Sequence, residues 1–169
     1  RKDDWRTLNV LAGIAASAAT LAFNVRLMQS PAFGEWSEGF GAGQVGSTAM
    51  PWKRNPINAE NIDSLARYVA ALPGVVWQNE AASLLERTLD DSANLLLERT
   101  LDDSANRRIV LPDGFLATEE VLARVHAVCD RLSVDRGAVQ ATLARFGPFA
   151  ASEAVLVAAS RAGGDRQAL

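Results

Sequence analysis

Residues 46–56, GSTAMPWKRNP, gather two prolines, two cations and several small residues, a composition that suits neither a helix nor a buried strand. Lys53 and Arg54 bring positive charge, Ser47 and Thr48 bring hydroxyls, and Asn55 offers an uncharged amide. Such a stretch can hold an anion; by composition alone it is a solvated basic turn after a helix. Elsewhere, Asp90-Asp91 and Asp102-Asp103 could suggest metal ligands, but no histidine or cysteine joins them and helix capping accounts for them, so no metal is expected. His126, the single histidine, reads as a packed or surface residue rather than a catalytic acid. Cys129, the single cysteine, cannot form an internal disulfide, which fits a reducing cytoplasm, and it reads as a small core residue.

The 169 residues are 49% hydrophobic and 22% charged, enough for one sizeable core or one and a half domains. A net charge of −3 and a pI near 5.2 give no global pull toward nucleic acid or an anionic membrane, so any attraction for anions is local. The longest apolar run, Val10 to Phe23, is alanine-rich, contains Ser17 and Thr20, and reads as a buried helix too short to span a bilayer. No secretory leader pattern is visible, and both ends read as interior to a longer protein.

These candidate residues need elements to position them. Apolar or small residues at Leu11, Ile14, Ala15, Ala18, Leu21, Ala22, Val25 and Met28 predict a long helix whose alanines allow close helix packing. Ser30 to Thr48 then holds Pro31 and five glycines (Gly34, Gly39, Gly41, Gly43, Gly46), the composition of a mobile loop. Ile62, Leu65, Ala66, Val69 and Val76 predict a second long helix, kinked near Pro73. A third is expected from about Ser104 through Val110, Leu111, Phe115, Leu122, Val125 and Val128, with a kink or break at Pro112. The pattern breaks near Ser133 to Gly137, and shorter helices follow over Ala138–Phe146 and roughly Pro148–Ala162, closed by Gly163-Gly164. No segment shows sustained strand alternation. The expected fold is all-α: a long antiparallel helical bundle over residues 1–133, with the loop at 30–56, and the start of a small helical C-terminal domain over 134–169.

LLERTLDDSAN occurs at 84–94 and again at 96–106. A twelve-residue period advances a helix face by about a third of a turn, so both copies cannot present the same side chains on a straight helix. A recent duplication, an engineered insertion or an assembly error explains it better than a functional repeat.

GSTAMPWKRNP resembles the signature loop of the fumarase/aspartase superfamily, Gly-Ser-Ser-x-Met-Pro-x-Lys-x-Asn-Pro, at Gly46, Ser47, Met50, Pro51, Lys53, Asn55 and Pro56, with Thr48 replacing the second serine. ERTLDDSANRR (98–108), SPAFGEWSE before the loop and NPINAENIDSLAR after it are similar to the adenylosuccinate lyase branch. The resemblance covers nearly the whole chain apart from the extra repeat copy.

It implies β-elimination of fumarate from a succinylated purine nucleotide, with no cofactor, in a cytoplasmic homotetramer whose active sites draw on three subunits. No nucleic-acid or membrane partner is implied. Removing a proton beside a carboxylate creates a doubly negative aci-carboxylate, which needs positive charge and donors already in place. Ser47 is the implied base, with Lys53 favouring its alkoxide and stabilising the intermediate. Thr48, Met50 and Asn55 are the implied substrate contacts, and the glycines before them read as a hinge for loop closure. Arg99, Ser104 and Arg108 match positions that hold the nucleotide; Ser104 and Arg108 share a helix face near its first turn, suited to a phosphate. The plainer alternative makes Asp102, Asp103 or Ser104 a cap and the arginines surface partners of carboxylates. In the first repeat copy Leu96 stands where Arg108 stands in the second, so Arg87 and Ser92 are not assigned to binding.

The family's general acid, a histidine, would lie upstream of Arg1, as would further substrate contacts, so this chain alone is expected to be inactive. Asn61 departs from branches that carry arginine there. Two other readings stand beside this one: another lyase or cycloisomerase of the superfamily, of argininosuccinate or carboxymuconate type, and a non-catalytic helical oligomerisation module.

Overall fold

The computed structural model describes residues 2–40, 50, 53–81 and 104–165. Three long helices dominate: α1 (Lys2–Met28), α2 (Ile57–Ala81) and α3 (Ser104–Arg131). Two shorter ones follow, α4 (Arg136–Ala150) and α5 (Ser152–Arg161), together with two-residue strands β1 (Trp36–Ser37) and β2 (Ser133–Val134). The fold is all-α, as the helical periodicity implies.

Side-chain pairs define the directions. Near the start of α1, Asp4 binds Arg107 of α3, and Trp5 meets Trp77 of α2 with ring centroids 5.7 Å apart. The amides of Asn79 and Asn106 exchange two hydrogen bonds of 2.6 and 2.7 Å, tying the end of α2 to the start of α3. At the other end Arg26 of α1 pairs with Asp63 of α2, and Arg124 of α3 donates to Asn58 Oδ1 at 3.0 Å. α2 therefore runs antiparallel to both α1 and α3.

The core is a continuous seam in two sections. Leu8, Leu11, Ala15, Ala66, Val69, Leu72, Val76 and Val110 fill one, and Ala18, Ala22, Val25, Ala59, Ile62, Val121 and Val128 fill the other. The alanines of α1 sit at its contact faces, where a small side chain lets a helix backbone approach closely. By length and composition α1 could also cross a membrane, unlike the shorter Val10–Phe23 run, but here its inner face is bundle core.

Several expectations need correction. On α3 the buried positions are Val110, Gly114, Thr118, Val121 and Val128, whereas Phe115 is 54% and Leu122 49% exposed. The inward stripe uses a glycine and a threonine, which hydrophobicity does not flag: Thr118 Oγ1 donates to the Gly114 carbonyl at 2.7 Å and so enters the core satisfied. Cys129, one residue past Val128, falls off that stripe and is exposed rather than a core residue. Ile14 is also exposed. α3 runs through Pro112 with no break, as α2 does through Pro73, and α4 continues through Pro148 to end at Ala150 instead of stopping at Phe146, because one missing N–H donor does not outweigh the surrounding turns.

Residues 30–40 are a built segment rather than a mobile loop. Gly34 takes φ +63°, Glu35 N–H donates to the Met28 carbonyl at 3.0 Å, and β1 pairs antiparallel with β2, matching Trp36 to Val134 and Ser37 to Ser133. A Cβ at Gly39 would lie 2.6 Å from Arg131 Cβ, so only glycine permits that approach to the end of α3. Asp135 then caps α4 by accepting from the Gly137 and Ala138 N–H groups. Among the described elements α4 and α5 pack only on each other. The first copy of the repeat lies outside the described residues, as do positions 96–103 of the second.

Gly114 lies where α3 meets both other long helices: a Cβ there would lie 2.6 Å from Leu8, 3.4 Å from Leu11 and 3.5 Å from Leu72. Gly114→Val is expected to destabilise the chain by about 1–3 kcal/mol through overpacking. Gly13→Ala, with nothing within 4 Å of the added carbon, should stabilise it by about 1 kcal/mol. Urea denaturation of both variants checks the pair.

Candidate functional site

The entry to α2 sets the geometry of the candidate site. Its first residue is Ile57, so the N-cap position falls on Pro56, whose side chain carries no oxygen. The cap comes instead from Glu38, twenty residues before Asn58. Its carboxylate, almost fully buried, accepts the backbone N–H of Asn58 at 3.0 Å, the Asn58 side-chain amide at 2.6 Å and the Ala59 N–H at 3.0 Å. Negative charge at a helix N-terminus is doubly favourable, since it satisfies orphan donors and meets the positive end of the dipole. Asn58 is oriented in turn by Arg124, which also pairs with Glu120 on its own helix.

Around this anchor lies a cleft of about 610 Å³, lined among others by Arg26, Gln29, Trp36, Met50, Lys53 and Asn55. The backbone turns tightly here: Lys53 N–H donates to the Met50 carbonyl at 3.0 Å and Ile57 N–H to the Asn55 carbonyl at 2.9 Å. Arg54, also on the cleft wall, stacks over the Phe40 ring, its guanidinium carbon 5.4 Å from the centroid. Arg26 is held by the buried Asp63 carboxylate, while Lys53 is solvent-exposed. With Arg26 already matched by Asp63, Lys53 and Arg54 leave the cleft locally positive, which suits an anionic ligand.

The structure thus brings Met50, Lys53 and Asn55 to one cleft. Ser47, Thr48 and Arg99 lie outside the described residues. Ser104 does open α3, and Arg108 is exposed four residues on. These two stand at the other end of the bundle: Arg124, beside Asn58, is twenty positions along α3 from Ser104, roughly 30 Å at 1.5 Å per residue. One chain does not join them to the Lys53 cleft.

The plainer alternative pairs Arg99 and Arg108 with carboxylates: Arg99 lies outside the described residues, among which no carboxylate pairs with Arg108, and it is the neighbouring Arg107 that forks onto Asp4. His126 pairs with Asp130 at 3.0 Å on the exposed side of α3 and does not line the cleft.

Arg26, Gln29, Trp36 and Glu38 escape the motif. The available signal is indirect: a helix starting after proline needs an acceptor from elsewhere, and Glu35 and Glu38 are the nearest carboxylates upstream.

The Arg107 guanidinium, by hydrogen bond and charge, holds the Asp4 carboxyl below its usual value against the opposing effect of partial burial. A depressed folded-state value means that this contribution is present above the unfolded value of about 3.9 and is lost as pH falls through the folded one. Asp4→Asn should cost about 1 kcal/mol or less at neutral pH and flatten the fall in stability below about pH 4. Thermal midpoints measured from pH 2 to 7 check this.

Residues 5–71 match the family described as Lyase. The chain is 37% identical over 157 residues to the adenylosuccinate lyase of Schistosoma mansoni, covering 93% of this chain and 30% of that protein. It is 36% identical over 166 residues to that of Schizosaccharomyces pombe, covering 98% and 32%. For Helicobacter pylori strain J99 the identity is 34% over 157 residues, covering 93% and 33%. The chain therefore spans about a third of the length of the curated relatives it matches. Among solved structures, 3-carboxy-cis,cis-muconate lactonizing enzyme from Pseudomonas putida shares the fold with a TM-score of 0.73 at 22% identity, over 95% of this chain and 32% of that one.

Proposed function

We propose that this chain, which matches adenylosuccinate lyases over nearly all of its own length and about a third of theirs, is part of a subunit that eliminates fumarate from adenylosuccinate and from the related succinylated imidazole ribonucleotide of purine biosynthesis. The observation that carries the reading is the meeting of Met50, Lys53 and Asn55 on one cleft that also holds Arg26 and Arg54.

In this reaction a base removes a proton from the carbon beside a carboxylate. The electron pair left behind spreads into that carboxylate, then forms the new double bond as the carbon–nitrogen bond breaks and nitrogen leaves with a proton from an acid. The dangerous species is the doubly charged intermediate, which pre-placed cations stabilise without reorganising at the moment of reaction. Lys53 takes that role, with Ser47 as the base, while Thr48, Met50 and Asn55 contact substrate. Arg99, Ser104 and Arg108 hold the nucleotide phosphate. The acid lies elsewhere in the protein, and the mechanism calls for no cofactor.

Because one chain holds Lys53 and Arg108 at opposite ends of its bundle, a complete site takes residues from more than one copy. A homotetramer with shared active sites fits that need. Outward-facing Val10, Phe23, Phe115, Leu116 and Leu122 support it, since helices apolar on two faces bury both in an assembly. The division into a bundle at 1–133 and a C-terminal domain at 134–169 belongs to the same reading, supported by α4 and α5 packing only on each other. So do a cytoplasmic location and the absence of nucleic-acid or membrane partners.

A second reading keeps the elimination chemistry with another leaving group, as the shared fold with the lactonizing enzyme allows. Fumarate release from adenylosuccinate by the intact enzyme, assayed against argininosuccinate and carboxymuconate, separates the two. Turnover confined to either alternative substrate would overturn the first choice.

Lys53→Ala is expected to lower kcat by about 10²- to 10⁴-fold with assembly preserved, the range for removal of a preorganised charge-stabilising or proton-transfer group. Ser47→Ala should lose several orders of magnitude, on the order of what removal of a nucleophile or base costs. Mixed subunits carrying Lys53→Ala and Arg108→Ala should regain activity that neither variant shows alone. Failure to complement would argue against shared sites.

A further inference from the structure

Gln29 directly follows α1, its backbone N–H still bonded to the Val25 carbonyl at 2.9 Å, and Val25 is fully buried. Its side-chain amide makes two different bonds. Oε1 accepts the backbone N–H of Glu38 at 2.8 Å, and Nε2 donates to the backbone carbonyl of Arg54 at 3.2 Å. Turning the amide over would face oxygen to carbonyl and NH₂ to N–H, so the two partners dictate its orientation.

Those partners matter because of where they sit. Glu38 carries the carboxylate that caps α2, and Arg54 stands between Lys53 and Asn55 on the cleft. One side chain, rooted in the bundle, thereby sets the distance between the capping segment and the segment that presents the cationic wall. We propose that Gln29 is a positioning residue: its bidentate amide holds Lys53 and Asn55 at the place where the intermediate's charge develops. This role rests on the lyase reading above; the clamp itself rests only on geometry.

Only an amide of this length serves both ends. Glutamate keeps an acceptor for Glu38 but sets a second oxygen against the Arg54 carbonyl, and leucine keeps the bulk while losing both bonds. The cost to the reaction is positional, because a small misplacement of a charge-stabilising group weakens it in the transition state more than it weakens substrate binding.

The test uses the intact enzyme as wild type, Gln29→Glu and Gln29→Leu. Both variants are expected to lose about tenfold in kcat for adenylosuccinate, the equivalent of one hydrogen bond, with KM changed by less than about twofold. Amide hydrogen exchange separates the two ends: the Glu38 N–H should exchange about tenfold faster in Gln29→Leu and at the wild-type rate in Gln29→Glu. A merely structural residue would lower the thermal midpoint of both variants and leave kcat per folded enzyme intact, which would overturn the proposal. Unchanged Glu38 exchange in Gln29→Leu would overturn it as well. If wild type releases no fumarate from adenylosuccinate, the lyase reading fails on its own, and Glu38 exchange still decides whether the clamp exists.

Discussion

A buried carboxylate at the mouth of α2 is the interaction on which the rest of the site depends. Pro56 starts the helix well, with its fixed φ and no surplus donor, yet it brings no acceptor for the N–H groups of Asn58 and Ala59. Glu38 supplies one from across a long stretch of sequence, and in doing so draws residues 35–40 down onto the bundle. Burying that charge is tolerable because both oxygens are bonded and the helix dipole is favourable. A loop rich in glycine is thereby given a fixed root at the place where Lys53 and Asn55 emerge.

The second constraint is length. Three helices of 25–28 residues, antiparallel and packed through alanine, valine and leucine, make a rod whose two ends cannot serve one pocket. One end carries the cationic cleft and the other carries Ser104, Arg107 and Arg108, with Arg107 already spent on Asp4. Several side chains on the outside of the rod are apolar. The shared-site assembly proposed above would answer both the separation of the residues and the exposure of those faces.

The helices and their approximate limits were legible because α1 and α2 repeat small and apolar residues at helical spacing. The inner face of α3 was not. Phe115 and Leu122 look like core residues on any hydrophobic scale, but the inward stripe of α3 is made of Val110, Gly114, Thr118, Val121 and Val128, with glycine and threonine at its middle where the Leu8 side chain comes close. Cys129 was misplaced for the same reason, since rotating the stripe by one residue moves it outward. Residues 30–40 look mobile from their glycines because composition reports what a backbone can do, whereas the Glu38 bonds and the β1–β2 pairing report what it does.

Type and spacing alone determined that the chain is helical and where its long helices run, and the dense motif at residues 46–56 carries the resemblance on which the proposed chemistry rests, because periodicity and a motif are local properties of a chain. Tertiary structure alone decided that Glu38 caps α2, that Gln29 joins Glu38 to Arg54, that Arg107 is the arginine that forks onto Asp4, and that Arg108 lies a bundle's length from Lys53. Each of these depends on which helices meet and in what direction, and no window of sequence contains that information.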